Sequence, residues 1–438
     1  MSRVVAVIPC RDNPRQARAA LEALAAVDTS DTSLRAVIVD DASEPPLEAP
    51  DRVNALEVRV VRLTDNVGGS GAFNAGIRAA MASHEPPDFV WLLDSDAVAT
   101  PGALRPMVAA LRDDASAIAA GSALRDPVCG HVYEAGGRIG RWSGVAIPCP
   151  PTTRRTVEYA AACSLLVRAG AFRAAGLFPE LFLSHDDIAW CLEASRRLGG
   201  RVLAVPESIV DHPWQRLHVA GRYYASRNCW QALARRGPLA RAGRAAIEVL
   251  LALSAGLEFG PQVARLHAAG WRDAAAGRTS GRCPSPIPSA PDTMPLDRAK
   301  DLLAGLDGGQ CRVHPHLMAM AARLGLTVAT AERGGPASWL ASDLLSMLRR
   351  LVLGPVEGCV VAPAAWPFAW ASRRRVLHVT DDRAALVSPT SDARLRDVLK
   401  VVLGAWPQLL KLAATGARPP TLPELVTDRP ARRRADTP

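Results

Sequence analysis

Lysine is almost missing from this chain: Lys300, Lys400 and Lys411 are its only examples. The basic charge is therefore arginine's, and 52 basic against 43 acidic side chains leave a formal charge of +9. That balance permits contact with phosphates or an anionic membrane surface, although the base composition of a gene produces the same bias. No CxxC pair occurs, and none of the nine cysteines falls at a zinc-like spacing with histidine, which excludes a zinc ribbon or finger. An odd count without a framework spacing points to reduced thiols in the cytoplasm. Long apolar runs are lacking too. MSRVVAVIPC is too short for a signal peptide, and AAIEVLLALSAGLEFG carries two glutamates and is too short to cross a bilayer. The expectation is a cytoplasmic protein, peripheral at most on the inner face of the cell membrane, with no nucleic-acid partner.

Half of the residues, 49%, are hydrophobic, so cores are easily filled, and 438 residues imply more than one domain. The first 110 or so residues alternate strand and helix patterns. VVAVIPC, LRAVIVDD, LEVRVVRL and DFVWLLD read as strands, and PRQARAALEALAAV and SGAFNAGIRAAMA as helices. Asn13 and Pro14 stand where an N-cap and a first helical residue belong. Continuous apolar strands between amphipathic helices indicate an α/β fold with a mostly parallel sheet covered on both faces. In such sheets ligands sit beyond the carboxyl ends of the strands. Those ends hold Cys10 with Arg11 and Asp12, Asp40 with Asp41, Asp65 with Asn66, and Asp94 with Asp96.

From about 115 to 160 the pattern becomes short β-like pieces, then a helical block reaches the strand RVLAVPESIVDH, and residues 221 to 275 read as helices. This divides the chain into an α/β domain over 1–230, a helical extension over 231–273, and a Pro/Ser/Gly linker over 274–296. A smaller α/β unit over 297–425 and a disordered basic tail over 426–438 complete it.

Several clusters could carry chemistry, and each has a plainer reading. In VIVDDAS the acids read first as N-cap residues, ahead of a role as acceptors for a nucleotide base or ribose. The glycines of DNVGGSGAFNAG either supply positive φ angles and close packing or admit a diphosphate to the backbone; they match neither the dinucleotide fingerprint nor a Walker loop. In LLDSDA, Asp94 and Asp96 lie at i and i+2 across a bend and can both face one hard cation, leaving positions for a substrate diphosphate. Asp186 and Asp187 open an amphipathic helix in LFLSHDDIAW. Neighbouring helical residues point about 100° apart, so one acid is expected to cap and the other to work. A helix N-terminus lowers a carboxylate's pKa, so a base there needs burial or a second carboxylate to offset it. His212 ends the VDH strand, where spacing alone does not make it a ligand.

In order, VIPCRDN, VDDAS, NVGGSGAFNAG, LLDSDA, HDDIAW, VDH and YYASRN resemble the family 2 glycosyltransferases of GT-A fold, and among them the bacterial galactofuranosyl- and rhamnosyltransferase branch. The resemblance covers about residues 3 to 230. It implies inverting transfer of a sugar from a nucleotide-diphosphate donor, UDP- or dTDP-linked, to an acceptor hydroxyl. By the same resemblance Asp94, Asp96 and His212 would hold Mg²⁺ or Mn²⁺. Pro9, Arg11, Asp40, Asp41, Asn66, Gly68, Gly69, Asp94 and Ser95 would contact the donor, and Asp187 would be the general base with Asp186 its acidic neighbour. The chain departs from relatives at Cys10-Arg11, where an aromatic-Asn pair is common, at Ser95, where some have a third acid, and at Ala189, where many have Glu.

A nucleotidyltransferase is the rival enzyme class, but it wants a basic Gly-rich loop directly after the first strand. A non-catalytic sugar-nucleotide binder or scaffold would be expected to lose an acidic pair. The acceptor implied is a cell-envelope glycan or glycolipid, with a small molecule or peptide of secondary metabolism as the alternative. Amphipathic stretches of the last unit, such as WLASDLLSMLRRLVLG with Arg349 and Arg350, suit core packing, self-association or a membrane surface.

Overall fold

In the computed structural model, residues 1–284 are described apart from 128–129, 150–152 and 214–218, as are residues 393–425. Between 285 and 392 the description covers 286–288, 294–295, 298–299, 301, 310–313, 327–330, 359–363, 375–379 and 383–387. The stretch holding Arg349 and Arg350, and the tail 426–438, lie outside the described residues.

The apolar runs form the strands expected of them. β1 (Ser2–Cys10) pairs in parallel with β2 (Thr32–Asp40) on one side and β5 (Phe89–Leu93) on the other, and β4 (Leu56–Arg62) extends the sheet beyond β2 in the same direction. The two-residue β3 (Arg52–Val53) closes that edge, antiparallel to β4. Every residue of β5 is buried, which is why the run has no alternation. Alternate side chains serve two cores. Val5, Val7, Val37 and Val39 meet Phe73 and Ile77 of α2 (Gly68–Met81), while Val4, Ala6, Ile8 and Ile38 meet Leu21 and Leu24 of α1 (Pro14–Ala25) and Met107 of α3 (Leu104–Asp113). Each such aliphatic or aromatic side chain contributes about 1.5–3 kcal/mol on burial. Asn13 is the N-cap of α1 with Pro14 at the first turn, but its side chain bonds Gln16 instead of a backbone amide.

Past β5 the sheet stops being parallel. The short β6 (Val98–Ala99) follows, and β7 (Ala117–Arg125) is a full nine-residue strand where only short pieces were expected. Its partner β12 (Ser164–Arg168) is antiparallel to both β5 and β7 and lies between them. β13 (Arg201–Asp211) runs parallel to β7 and pairs at its end with β6. Opposite β7, β13 carries extra residues: Val205 pairs with Ser122 and Ile209 with Ala123, so Pro206–Ser208 form a bulge. The small strands β8 (Val132–Glu134), β9 (Gly137–Ile139), β10 (Ala146–Pro148) and β11 (Arg155–Val157) surround this end, β8 on β7 and β11 on β13. α4 (Ala169–Ala175) and α5 (Asp186–Leu198) connect β12 to β13.

Helices α6 (Gly221–Ala232), α7 (Pro238–Phe259) and α8 (Pro261–Ala275) follow as expected. A second sheet of β14 (Met294–Pro295), β15 (Gln310–Val313), β16 (Thr327–Thr330), β17 (Cys359–Pro363), β18 (Arg375–Val379) and β19 (Arg383–Val387) is mixed, with β15 to β18 parallel. The expected linker thus ends inside a sheet, since Met294 and Pro295 pair with β19. The last amphipathic run is two helices, α9 (Ala393–Gly404) and α10 (Trp406–Thr415), meeting at a 42° bend. Gly404 and Pro407 account for the break. No single described helix is long and apolar enough to cross a membrane.

Candidate active site

The turn after β5 carries the paired acids. Ala97 N–H donates to Asp94 O (3.1 Å), closing a bend that turns Asp94 and Asp96 the same way. His212, one residue past β13, faces both: its Nε2 lies 3.7 Å from Asp94 Oδ2 and 3.6 Å from Asp96 Oδ1. Its backbone N–H bonds Arg125 O (2.9 Å), and the Arg125 guanidinium clamps Asp211 at 2.5 and 2.8 Å. Tyr133 of β8 hydrogen-bonds His212 Nδ1 at 2.7 Å, which fixes the ring with Nε2 toward the carboxylates. Two carboxylates and an imidazole are a donor set suited to a divalent cation of the Mn²⁺ kind, so these residues fit the ion that the sequence pattern implied. Ser95, between the two acids, is half-buried.

Asp186 and Asp187 stand in the first turn of α5, and neither is its cap. The N-cap is His185, with φ of 65° and no side-chain cap bond. The capping role expected for one aspartate is therefore not taken, because the chain enters the helix through left-handed Phe182, Ser184 and His185. Asp187 instead accepts from Ala162 N–H (3.0 Å) and Ile188 N–H (2.7 Å). Burial raises the pKa of both acids, and Asp186 reaches about 8 with Asp187's charge as the second cause. Burial thus outweighs the helix dipole. The two backbone amides on Asp187 favour its charged form and oppose the effect of burial there.

α6 holds this loop in place. Asn228 Nδ2 donates to Leu181 O, Leu183 O and Ser184 O (3.1, 2.7 and 3.0 Å), and buried Arg227 donates to Leu181 O (2.6 Å). Arg227 also lies over the rings of Tyr223 and Tyr224. The YYASRN run is thus a brace for the loop ahead of Asp187, a use that residue types alone did not reveal.

At the neighbouring edge Asp40 and Asp41 are buried, and their oxygens serve the chain itself. Asp40 accepts from Ser43 N–H (2.9 Å) and Leu47 N–H (3.0 Å) beside Arg62. Asp41 accepts from Val67 N–H (2.7 Å) and Gly68 N–H (3.0 Å), capping α2 from outside. Gly68 N–H is shared with Asn66 Oδ1 (3.0 Å). Arg11 donates to Asp41 O and Ala42 O (2.7 and 2.9 Å), beside half-buried Pro9. The local readings of VDDAS and of the glycine turn are therefore realised. Gly68 has φ of +76°, and a Cβ there would stand 2.2 Å from Phe182 O, whereas Gly69 has ordinary room. G68A is expected to destabilise the fold by about 1–3 kcal/mol, read by urea denaturation; a wild-type midpoint would contradict the contact.

Two further side chains face the same space unforeseen. Glu134 has a buried Oε1 without a hydrogen-bond partner, and burial followed by Asp187's charge raises its pKa to about 7. Cys163 is buried among Asp94, Glu134, Asp187 and Asp96. Both arrive through strands β8 and β12, whose placement depends on the antiparallel insertion. A cavity of about 1130 Å³ lies elsewhere, between α1 and the 43–54 segment, and shares none of Asp94, Asp187 or His212. The site is located by its chemistry, not by volume.

The glycosyl transferase family 2 model matches residues 5–173. Pre-mycofactocin glycosyltransferases from two strains of Mycobacterium tuberculosis are 27% identical over 217 residues, covering 48% of this chain and 42% of theirs. The chain therefore spans less than half the length of these curated relatives. Among solved structures, S. aureus TarS aligns at TM-score 0.41 and 15% identity over 62% of this chain and 48% of its own. The mannosyltransferase PcManGT from Pyrobaculum calidifontis, in complex with GDP-Man and Mn²⁺, aligns at 0.38 and 16% over 63% of this chain and 75% of its own. The family 2 match thus falls on the part of the chain that holds the parallel strands β1, β2, β4 and β5 and the paired acids Asp94 and Asp96.

Proposed function

We propose that the chain transfers a sugar, with inversion, from a nucleotide-diphosphate donor to an acceptor hydroxyl. The observation that carries this reading is the meeting of Asp94, Asp96 and His212 on one side with Asp187 on the other, at one end of the sheet. A divalent cation held by Asp94, Asp96 and His212 would supply charge neutralisation for a departing diphosphate. Asp187, ionised and oriented by two amides, takes the acceptor proton, while protonated Asp186 keeps a second negative charge out of the pocket. Arg11, Asn66, Gly68, Gly69 and Ser95, with the edge braced by Pro9, Asp40 and Asp41, form the donor side. We assign 1–230 to this catalytic unit, 231–273 to its helical support, and 297–425 to an accessory unit.

UDP- and dTDP-sugars of galactofuranose or rhamnose type are the donors proposed. The curated relatives are named for pre-mycofactocin, which favours an acceptor outside the cell wall over an envelope polysaccharide. The deciding assay is a panel of nucleotide sugars with and without Mn²⁺. Release of nucleotide diphosphate, stimulated by Mn²⁺, is expected; release of pyrophosphate instead would identify a nucleotidyltransferase and defeat the reading.

Contact with an anionic membrane surface is proposed for the outer face of α9 and α10. Leu399, Leu403, Trp406 and Leu410 are exposed there, flanked by exposed Lys400 and Lys411, two of the chain's three lysines. Val398, Val402, Leu409 and Leu412 are buried on the opposite face. Cations beside an apolar ridge with a tryptophan suit an anionic interface. The chain should float with anionic vesicles at low salt, and L403E/L410E should not. Failure of the wild type to float refutes this contact, and a dimer dispersed by the same substitutions would assign the ridge to a second copy.

A further inference from the structure

We infer that Cys163 is a further ligand of the proposed cation site, so that the site selects a borderline, thiophilic cation over Mg²⁺. The inference rests on the reading of Asp94 and His212 as ligands given above. Among the described residues, Asp94, Cys163 and His212 form a group whose ligating atoms all lie within 4.8 Å of one another. Three donors bound to one ion at about 2.0–2.3 Å, in tetrahedral to trigonal arrangement, stand about 3.3–4.0 Å apart. The 3.7 Å between His212 Nε2 and Asp94 Oδ2 already falls in that range, and the 4.8 Å bound on the group leaves at most about 1 Å of contraction.

The backbone explains why the thiol is there. β12 pairs antiparallel with β5, Ser164 opposite Leu93. One step further places Cys163 beside Asp94, where the strand ends become the site. The same turn supplies Ala162 N–H to Asp187 Oδ2 (3.0 Å), so ligand and base orientation share two consecutive residues. Cys163 is 7% exposed, and its neighbours are carboxylates as well as apolar groups. A thiol packed as a small hydrophobe would have no reason to meet an imidazole and a carboxylate at this spacing.

Sulfur with imidazole and carboxylate suits Co²⁺, Zn²⁺ and Cd²⁺, whereas Mg²⁺ demands oxygen donors and keeps its waters. On coordination the thiol proton passes to solvent and the sulfur donates an electron pair to the ion.

Co²⁺ is the probe, added to the full reduced chain and followed by absorption. The expected spectrum has visible d–d bands together with a near-ultraviolet thiolate-to-cobalt charge-transfer band. C163S should lose the charge-transfer band, keep d–d bands, and bind Cd²⁺ about 10- to 100-fold more weakly in competition titrations. Excess Mg²⁺ should not displace Co²⁺ from the wild type. The wild-type spectrum decides even if C163S folds poorly, and C163A serves as the second variant. Co²⁺ bands that vanish in D94N/H212A but never include charge transfer would overturn the role of Cys163 and leave the cation site standing. Charge transfer surviving in both Cys163 variants would assign the band to another cysteine and equally overturn it. A Co²⁺ spectrum unchanged in D94N/H212A, or no binding at all, would remove the cation site itself.

Discussion

D187N is expected to lower turnover by about 10²–10⁴-fold, the span of general acid–base catalysis, while nucleotide-diphosphate affinity stays within about twofold of wild type. The Ala162 and Ile188 amides use different oxygens of Asp187, so the asparagine keeps one of these two bonds while the proton acceptor is lost. Burial raises the pKa of Asp187, which makes it a better base than a surface carboxylate and shifts the acidic limb of the rate profile above the ordinary aspartate range. kcat/KM should therefore rise with pH through that limb in the wild type, and the limb should disappear from the residual activity of D187N. The pair of measurements is steady-state nucleotide release and calorimetric titration with the nucleotide diphosphate. Wild-type kcat in D187N would transfer the base role elsewhere, with Glu134 the next carboxylate at hand.

Glu248→Ala should unfold the helical layer more easily than any single surface change. Glu248 is buried between α7 and α8, with Arg244 at 2.5 Å, Trp271 Nε1 at 2.7 Å and His267 at 3.9 Å. Removing it leaves Arg244 charged and buried, at a cost of about 3–5 kcal/mol, whereas R244M/E248L is expected to fall near wild type because neither charge is then stranded. Burial pushes the Glu248 pKa up, but Arg244's charge and the bonds from His267 and Ser226 overcome it and hold the carboxyl far below its usual range. A depressed folded-state pKa means the contribution is complete above the unfolded glutamate value of about 4.3 and drains away as pH falls toward the folded value. Urea midpoints of both variants at neutral pH, and of the wild type down a pH series, give the check. Equal losses in the single and double variants would show that packing, not charge, governs the site. The cluster also reaches the active-site loop, since burial and Arg244's charge lower the pKa of His185, the residue before the two aspartates, to about 4.

Much of this was readable from residues alone. Apolar runs ending in acids give parallel strands with chemistry at their carboxyl ends, and VIVDDAS, LLDSDA and VDH lie where that rule puts them. Local patterns could not place Cys163, Tyr133 or Glu134, because β12 is inserted antiparallel between β5 and β7 and β8 adds antiparallel to the end of β7, and such pairing is not written in any local pattern. Asn228 was equally hidden, since its partners are carbonyls some 45 residues away and a carbonyl has no sequence signature. Asp41 presents the opposite case: its two backbone bonds make it the cap of a helix that begins 27 residues later.

The bulge of Pro206–Ser208 has a consequence for how this chain can change over time. Side chains on a strand alternate, so with the strand end unshifted one residue more between Val205 and Ile209 would present Asp211 in place of His212, and one fewer would present Pro213. Within the bulge Glu207 is exposed and Pro206 donates no ladder bond, whereas Ser208 is buried with its hydroxyl on Ser122. Selection on this strand therefore acts on its arithmetic. A substitution at exposed Glu207 leaves that count intact, while a gap of one residue disconnects the histidine from its carboxylates.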